Sequence, residues 1–211
     1  RSTPKPSSAA SDVYKRQVSS KAVIDPISCL GCGICVSKCS REAIDLKYCT
    51  EKQLLAHIRG VGEEDGTFPK IIAFLEKTTA YGSADLAGQN RHNYTSHVRI
   101  IGVPSTGRIG IKHLAHAFAT GTDGVILIEG DDSPFSGEKL REHMIQLKKE
   151  LRKLGIKPSR LVSTTTTLPQ YEKVVNLFQT FTERILKVGP ISKEKREKIS
   201  KKLGGGFSIE G

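Results

Sequence analysis

Four cysteines within eleven residues carry the most specific chemistry in this 211-residue chain: Cys29-Leu-Gly-Cys32-Gly-Ile-Cys35-Val-Ser-Lys-Cys39. The spacing C-x2-C-x2-C-x3-C is that of a [4Fe–4S] site. Two-residue gaps wrap the backbone around one cubane so that three thiolates point inward. Gly31 and Gly33 permit the tight turns and the close backbone approach this requires. Backbone N–H groups in such a loop bond the cluster sulfurs, and Lys38 and Arg41 add positive charge beside it. The competing readings are a zinc knuckle or thiols that merely pack. Zinc sites pair two C-x2-C halves at a distance, which this run does not.

The run leaves the role of Cys39 open. In two-cluster ferredoxins the fourth cysteine serves the neighbouring cluster, so Cys29, Cys32 and Cys35 would hold one cluster and Cys39 a second whose other ligands lie upstream. No second motif precedes Cys29 in this sequence, and Ser40 stands where the ferredoxin run has Pro. Cys49, at the end of an expected strand, reads as a small buried hydrophobe rather than a ligand.

The elements that must position this loop fall into five stretches. Residues 1–17, RSTPKPSSAASDVYKRQ, show neither helical nor strand period. They resemble a translated sequencing-adapter scar, with a native disordered arm as the alternative, so the chain is expected to be a fragment whose true start lies upstream of Val18. Residues 18–50 predict a small ferredoxin-like [4Fe–4S] module, with KAVID and EAIDLKY as strands on either side of the cysteine loop. Residues 51–67 predict a short helix ending at Gly60 and a polar linker, VGEEDGT. Residues 68–190 alternate apolar β runs (71–76, 98–104, 124–130, 159–165) with helical patterns at 110–121, 137–155 and 168–189. Runs this continuously apolar suit strands covered on both faces. The fold class is therefore α/β: the small module, then an open parallel three-layer domain. Residues 191–211 read as a basic, mobile tail.

Composition narrows the function classes. Apolar residues make up 37% and charged residues 26% of the chain, which is compatible with a packed core. No apolar run approaches the roughly 20 residues of a membrane span. The net charge of +11 is concentrated in the tails, where residues 1–17 hold +3 and 187–211 hold +4, and such runs are usually solvated rather than bound to nucleic acid. Five cysteines in a chain of this length do not make a disulfide framework, and open thiolates imply a reducing cytoplasm.

AVIDPISCLGCGICVSKCSREAIDLKYCTEKQLLAHI (22–58) resembles the last ferredoxin motif and exit helix of the flavin-containing A subunit of heterodisulfide reductase. Phe74-Leu75 with YGSADLAG (81–88), VRIIGVPSTGR (98–108), HAFATGTDGVILIEG (116–130) and ELRKLGIKPSRL (150–161) resemble the delta subunit of methyl-viologen-reducing hydrogenase. The resemblance implies electron transfer inside a heterodisulfide-reductase-like or hydrogenase-like complex, with the other subunits as partners. It also implies a [2Fe–2S] cluster in the second domain, on cysteines after its first three strands. Here those places hold oxygen residues: Glu76 and Thr79, Ser105, then Asp131 and Ser136, and no cysteine follows Cys49. The [2Fe–2S] cluster is therefore expected to be absent and the domain to serve docking.

Other readings of the second domain stay open. Its strand-end loops are hydroxyl-rich, which would suit a flavin or a nucleotide phosphate. Glu76, Glu129, Asp131 and Asp132 could form a divalent-metal rim. His113 and His116 lack a third ligand and read as surface or packing residues. FAD, if used, belongs to a missing upstream region, since this chain has no G-x-G-x-x-G fingerprint. A freestanding single-cluster ferredoxin is the remaining alternative. No complete active site is legible, so catalysis is assigned to no residue.

Overall fold

The computed structural model of the chain describes residues 15–18, 21–39, 41–63 and 66–203. Most of the adapter-like segment, Ser40, part of the linker and the Gly-rich end lie outside the described residues. Two units are distinguished, Arg1–Cys32 and Gly33–Gly211.

In the first unit, β1 (Lys15–Val18) pairs antiparallel with β2 (Lys21–Ile24). This corrects the expected second strand. The KAVI strand forms, but its partner is Lys15–Val18, and no strand forms over 42–48. The reason is local. Glu42 has φ 51, outside any strand, and the Asp45 carboxylate accepts the N–H groups of Leu46 at 2.8 Å and Glu51 at 3.0 Å, turning the chain into the next helix.

The second unit holds α1 (Ile34–Lys38), α2 (Glu51–Glu63), β3 (Ile71–Glu76), α3 (Thr79–Gln89), β4 (Val98–Val103), α4 (Ile111–Thr120), β5 (Gly124–Gly130), α5 (Glu138–Lys153), β6 (Leu161–Thr166), α6 (Tyr171–Val188) and α7 (Lys193–Lys202). Strands β3 to β6 form one parallel sheet in the order β4-β3-β5-β6, with Ile71 opposite both Val98 and Gly124, and Val125 opposite Leu161. Side chains alternate cleanly between the two faces, as strand geometry requires. Ile72, Phe74, Val125 and Leu127 pack with α2, α4, α5 and α7; Ile71, Ala73, Leu75, Ile126 and Ile128 pack with α3 and α6. Both faces are covered, which is why β3 and β5 read as continuous apolar runs.

Three elements differ from the sequence reading. Helix α2 runs past Gly60 to Glu63. A Cβ at Gly62 would lie 2.4 Å from the Thr120 carbonyl, so glycine is what lets α2 approach the end of α4. Helix α3 is legible in the sequence only as a polar loop over 76–85. Its small residues Ala80, Ser83, Ala84 and Ala87 let it lie close on the sheet. The basic stretch 193–202 is not a solvated end: Ile191 and Ile199 are buried in the core.

Asp123, at the amino end of β5, ties α7 down. Its carboxylate accepts the Lys70 N–H at 3.2 Å and the Arg196 guanidinium at 2.7 Å. Arg196 also donates to the carbonyls of Phe118 at 2.8 Å and Thr122 at 2.9 Å. Removing one partner of such a buried pair strands the other, at a cost of about 3–5 kcal/mol. Asp123→Ala is therefore expected to lower stability by about that amount in urea unfolding, with amide exchange in α7 rising first. Unchanged α7 protection would show that the helix is held by its apolar contacts alone.

Candidate functional site

The cysteine loop depends on two glycines. Gly31 (φ 65) and Gly33 (φ 73) occupy the left-handed region that other residues avoid. Within the first unit, the Gly31 N–H donates to Cys29 Sγ at 3.4 Å, and the Cys29 N–H donates to the Asp25 carbonyl at 3.0 Å. Cys29 and Cys35 are exposed, Cys32 and Cys39 half-buried. Cys49 is half-buried in a turn, not at the end of a strand. Among the described residues no group of three or more His, Cys, Asp or Glu side chains is drawn together to hold a metal ion.

In the second unit, α1 follows Gly33 and is anchored by buried Val36. Cys39 lines a cleft of about 370 Å³ together with Glu42, Asp45, Glu51, Lys112 and His113. Glu51 is the hub of this wall. His113 Nδ1 accepts the Gly110 N–H at 3.1 Å, so Nε2 carries the proton and donates to Glu51 Oε2 at 3.0 Å. Burial pushes the Glu51 carboxyl up, but the hydrogen bond from His113, with the charges of Lys112 and Arg108 nearby, holds it below its usual 4.5. His113 is thus a buried bridge rather than a surface residue. His116 is buried on the same helix, and desolvation lowers its pKa below 6.5.

Arg108, in the turn between β4 and α4, stands out in the sequence only as part of a motif. Its side chain is fully buried. Asp45 and Glu51 lie 3.7 and 3.6 Å from Nη2, inside ion-pair range, yet Nε, Nη1 and Nη2 make no hydrogen bond among the described residues. No sequence signal separates it from a solvated arginine in the same turn.

The oxygen residues at the carboxyl ends of the strands form two separate networks. Glu76 accepts the N–H groups of Thr78 at 2.6 Å, Thr79 at 2.8 Å and Ala80 at 3.3 Å, so the last residue of β3 caps α3. The Thr79 hydroxyl donates to Asp132 at 2.9 Å. Glu129, wholly buried, accepts the N–H of Thr106 at 2.7 Å and the hydroxyls of Thr106 and Ser133 at 2.5 Å each. Ser105 Oγ accepts the Gly107 N–H at 3.2 Å. Asp131 is exposed, and Ser136 donates to its carbonyl at 3.0 Å. The acidic rim is therefore not one site. Glu76 meets Asp132 through Thr79, Glu129 turns to Thr106 and Ser133, and Asp131 faces solvent.

Residues 71–189, from the first strand of the parallel sheet to the end of α6, match the family described as methyl-viologen-reducing hydrogenase, delta subunit. The chain belongs to this family. Among delta-subunit relatives, the iron–sulfur D subunit of the vhu hydrogenase of Methanopyrus kandleri is 36% identical over 58% of this chain and 96% of its own length. Its counterpart in Methanocaldococcus jannaschii is 33% identical over 58% and 94%. The A subunit of the ferredoxin:CoB-CoM heterodisulfide reductase of Methanosarcina mazei is 31% identical over 83% of this chain, but only 26% of its own length is covered. The chain thus spans about a quarter of that reductase polypeptide and most of the hydrogenase one. Among the described residues, no helix of this delta-subunit relative is long and apolar enough to cross a membrane.

The depressed Glu51 carboxyl stabilises the fold above the usual glutamate range and loses that contribution as pH falls through its folded value. Glu51→Gln is expected to cost about 1.5–3 kcal/mol at pH 7, the range for a hydrogen bond to a charged group. The gap between wild type and variant should close below pH 4.5. A gap that persists at pH 3 would mean the carboxylate charge is not what stabilises this wall.

Proposed function

We propose that this chain carries electrons as part of a heterodisulfide-reductase-like or hydrogenase-like redox complex, with an iron–sulfur cluster on Cys29, Cys32, Cys35 and Cys39. The observation that carries the reading is the cysteine run itself, set on two left-handed glycines, with a backbone N–H already directed at Cys29 sulfur. The donor set fits in type and spacing: four thiols, C-x2-C-x2-C-x3-C, on a loop that can bring backbone N–H groups to sulfur. Alignment with a polypeptide named for heterodisulfide reductase over 83% of the chain supports the setting.

A [4Fe–4S] cluster, when bound, takes up and releases a single electron. The chain's own part is to bind and tune. Gly31 and Gly33 let the loop close, the Gly31 N–H neutralises thiolate charge at Cys29, and Lys38 and Arg41 add positive charge near the loop. Cys39 closes the same cluster or serves a neighbouring one.

The parallel domain serves docking and holds no [2Fe–2S] cluster of its own. Glu76, Thr79 and Ser105 take the ligand positions that the resemblance implies; Glu76 and Ser105 are engaged in capping a helix and a turn, and the Thr79 hydroxyl donates to Asp132. The same filled rim argues against a flavin or nucleotide there. The partners are the other polypeptides of such a complex, in a reducing cytoplasm.

Anaerobic reconstitution of the full chain is expected to load about four irons and to give a fast-relaxing EPR signal after reduction. Cys29→Ser, Cys32→Ser and Cys35→Ser should each lose most of that iron. Wild-type iron in Cys35→Ser would overturn the ligand set. Tight binding of four irons, abolished by Cys39→Ser, places Cys39 on the same cluster; labile iron indifferent to Cys39→Ser places it on another. A second, slowly relaxing signal that survives loss of all four cysteines would refute the absence of a [2Fe–2S] site.

A further inference from the structure

We propose that Arg108 is the cationic partner of the proposed cluster on the side of Gly33 and Cys35, where its fixed positive charge raises the cluster's reduction potential. The inference rests on the cluster reading above.

Arg108 differs from the other deeply placed charges. Glu76 and Glu129 are each satisfied by several donors. Arg160 donates to the carbonyls of Asp123 and Gly189, and Arg196 to three carbonyls and a carboxylate. The Arg108 side chain is as buried as any of these, at 0% exposure, and its three nitrogens have no hydrogen-bond partner among the described residues. A guanidinium offers five N–H donors and stays charged at any ordinary pH. Burying a guanidinium without hydrogen bonds is strongly unfavourable, so this one calls for an anion to face it.

Its two carboxylate neighbours do not resolve this. Asp45 Oδ1 already accepts the N–H groups of Leu46 and Glu51, and Glu51 Oε2 accepts His113 Nε2. Both stay beyond hydrogen-bond distance of Arg108, at 3.7 and 3.6 Å. The site is set up for one more anion.

The position of the guanidinium says which anion. A Cβ built on Gly33 would lie 3.2 Å from Arg108 Nη1 and 3.3 Å from its Cδ. The side chain therefore runs directly beneath the backbone of the glycine that separates Cys32 from Ile34 and Cys35 in the chain. Gly33 leaves room for that contact. The preceding residue is fixed as well: a Cβ on Gly107 would lie 2.7 Å from the Phe135 ring. Iron–sulfur clusters on four thiolates are anionic and gain a further negative charge on reduction, so a fixed cation with N–H donors favours the reduced form.

The test uses the reconstituted full chain and its Arg108→Met and Arg108→Lys variants. Iron and sulfide are counted, and the midpoint is read by EPR-monitored redox titration. Arg108→Met is expected to keep its iron and to lower the reduced-to-oxidised ratio at fixed potential at least tenfold, about 59 mV for a one-electron couple. Arg108→Lys, which keeps the charge, should shift the ratio less than threefold. An iron-loaded Arg108→Met protein with the wild-type midpoint overturns the inference and leaves the cluster reading intact. Should Arg108→Met not fold, pulsed EPR of wild-type protein labelled with 15N-arginine decides. A nitrogen coupling absent from Arg108→Lys supports the role, and no coupling in wild type refutes it. Failure of the wild-type chain to take up iron overturns both this role and the cluster reading.

Discussion

A parallel sheet covered on both faces has room for charge only at the ends of its strands, and this constraint governs the chain from Lys70 to Lys202. Each strand carries apolar side chains to both layers, so the polar groups that helices and turns require must gather where the strands begin and finish. At the amino end a single carboxylate, Asp123, joins the start of β3 to the guanidinium of Arg196 and so to α7. At the carboxyl end β3 finishes on Glu76 and β5 carries Glu129 one residue before its end, and each glutamate accepts several donors.

The carboxyl end is also where open α/β sheets place ligands. In this chain most of that rim is internally satisfied. Glu76 turns its oxygens to the first turn of α3, and Glu129 turns its own to Thr106 and Ser133. A rim closed in this way is a rigid platform more than a pocket. The exception lies two residues beyond Thr106, where the turn delivers Arg108 to the backbone of Gly33. The parallel domain thus brings a positive charge to the backbone that leads into Cys35.

Much of the parallel domain was legible because its physics is local. Strands β3 and β5 match the apolar runs 71–76 and 124–130 residue for residue, and α5 follows the spacing of Leu140, Met144, Leu147 and Leu151. What escaped depends on contacts distant in sequence or on a neighbouring element. Helix α3 has a weak pattern, and its start is fixed by Glu76, a residue of the preceding strand. Helix α7 reads as a charge run, because a single Ile199 and the reach of Arg196 to Asp123 decide its burial. EAIDLKY has an alternating pattern, but Asp45 captures the N–H of Glu51 and ends any strand. The burial of Arg108 was not legible, since nothing in VPSTGR tells a buried guanidinium from a solvated one.

The close approach of Gly62 to the Thr120 carbonyl has a kinetic meaning. A helix seated backbone to backbone cannot slide or roll without collision, and α2 is so seated at its end while Leu54, Leu55 and Ile58 are buried along its length. Electron tunnelling falls off exponentially with separation, so a redox centre on a wandering support would deliver electrons at widely scattered rates. The segment from Gly33 to Thr50 leads directly into α2. On the proposed cluster reading, fixing that helix against α4 would narrow the distances from Cys35 and Cys39 to an electron partner, and with them the spread of transfer rates.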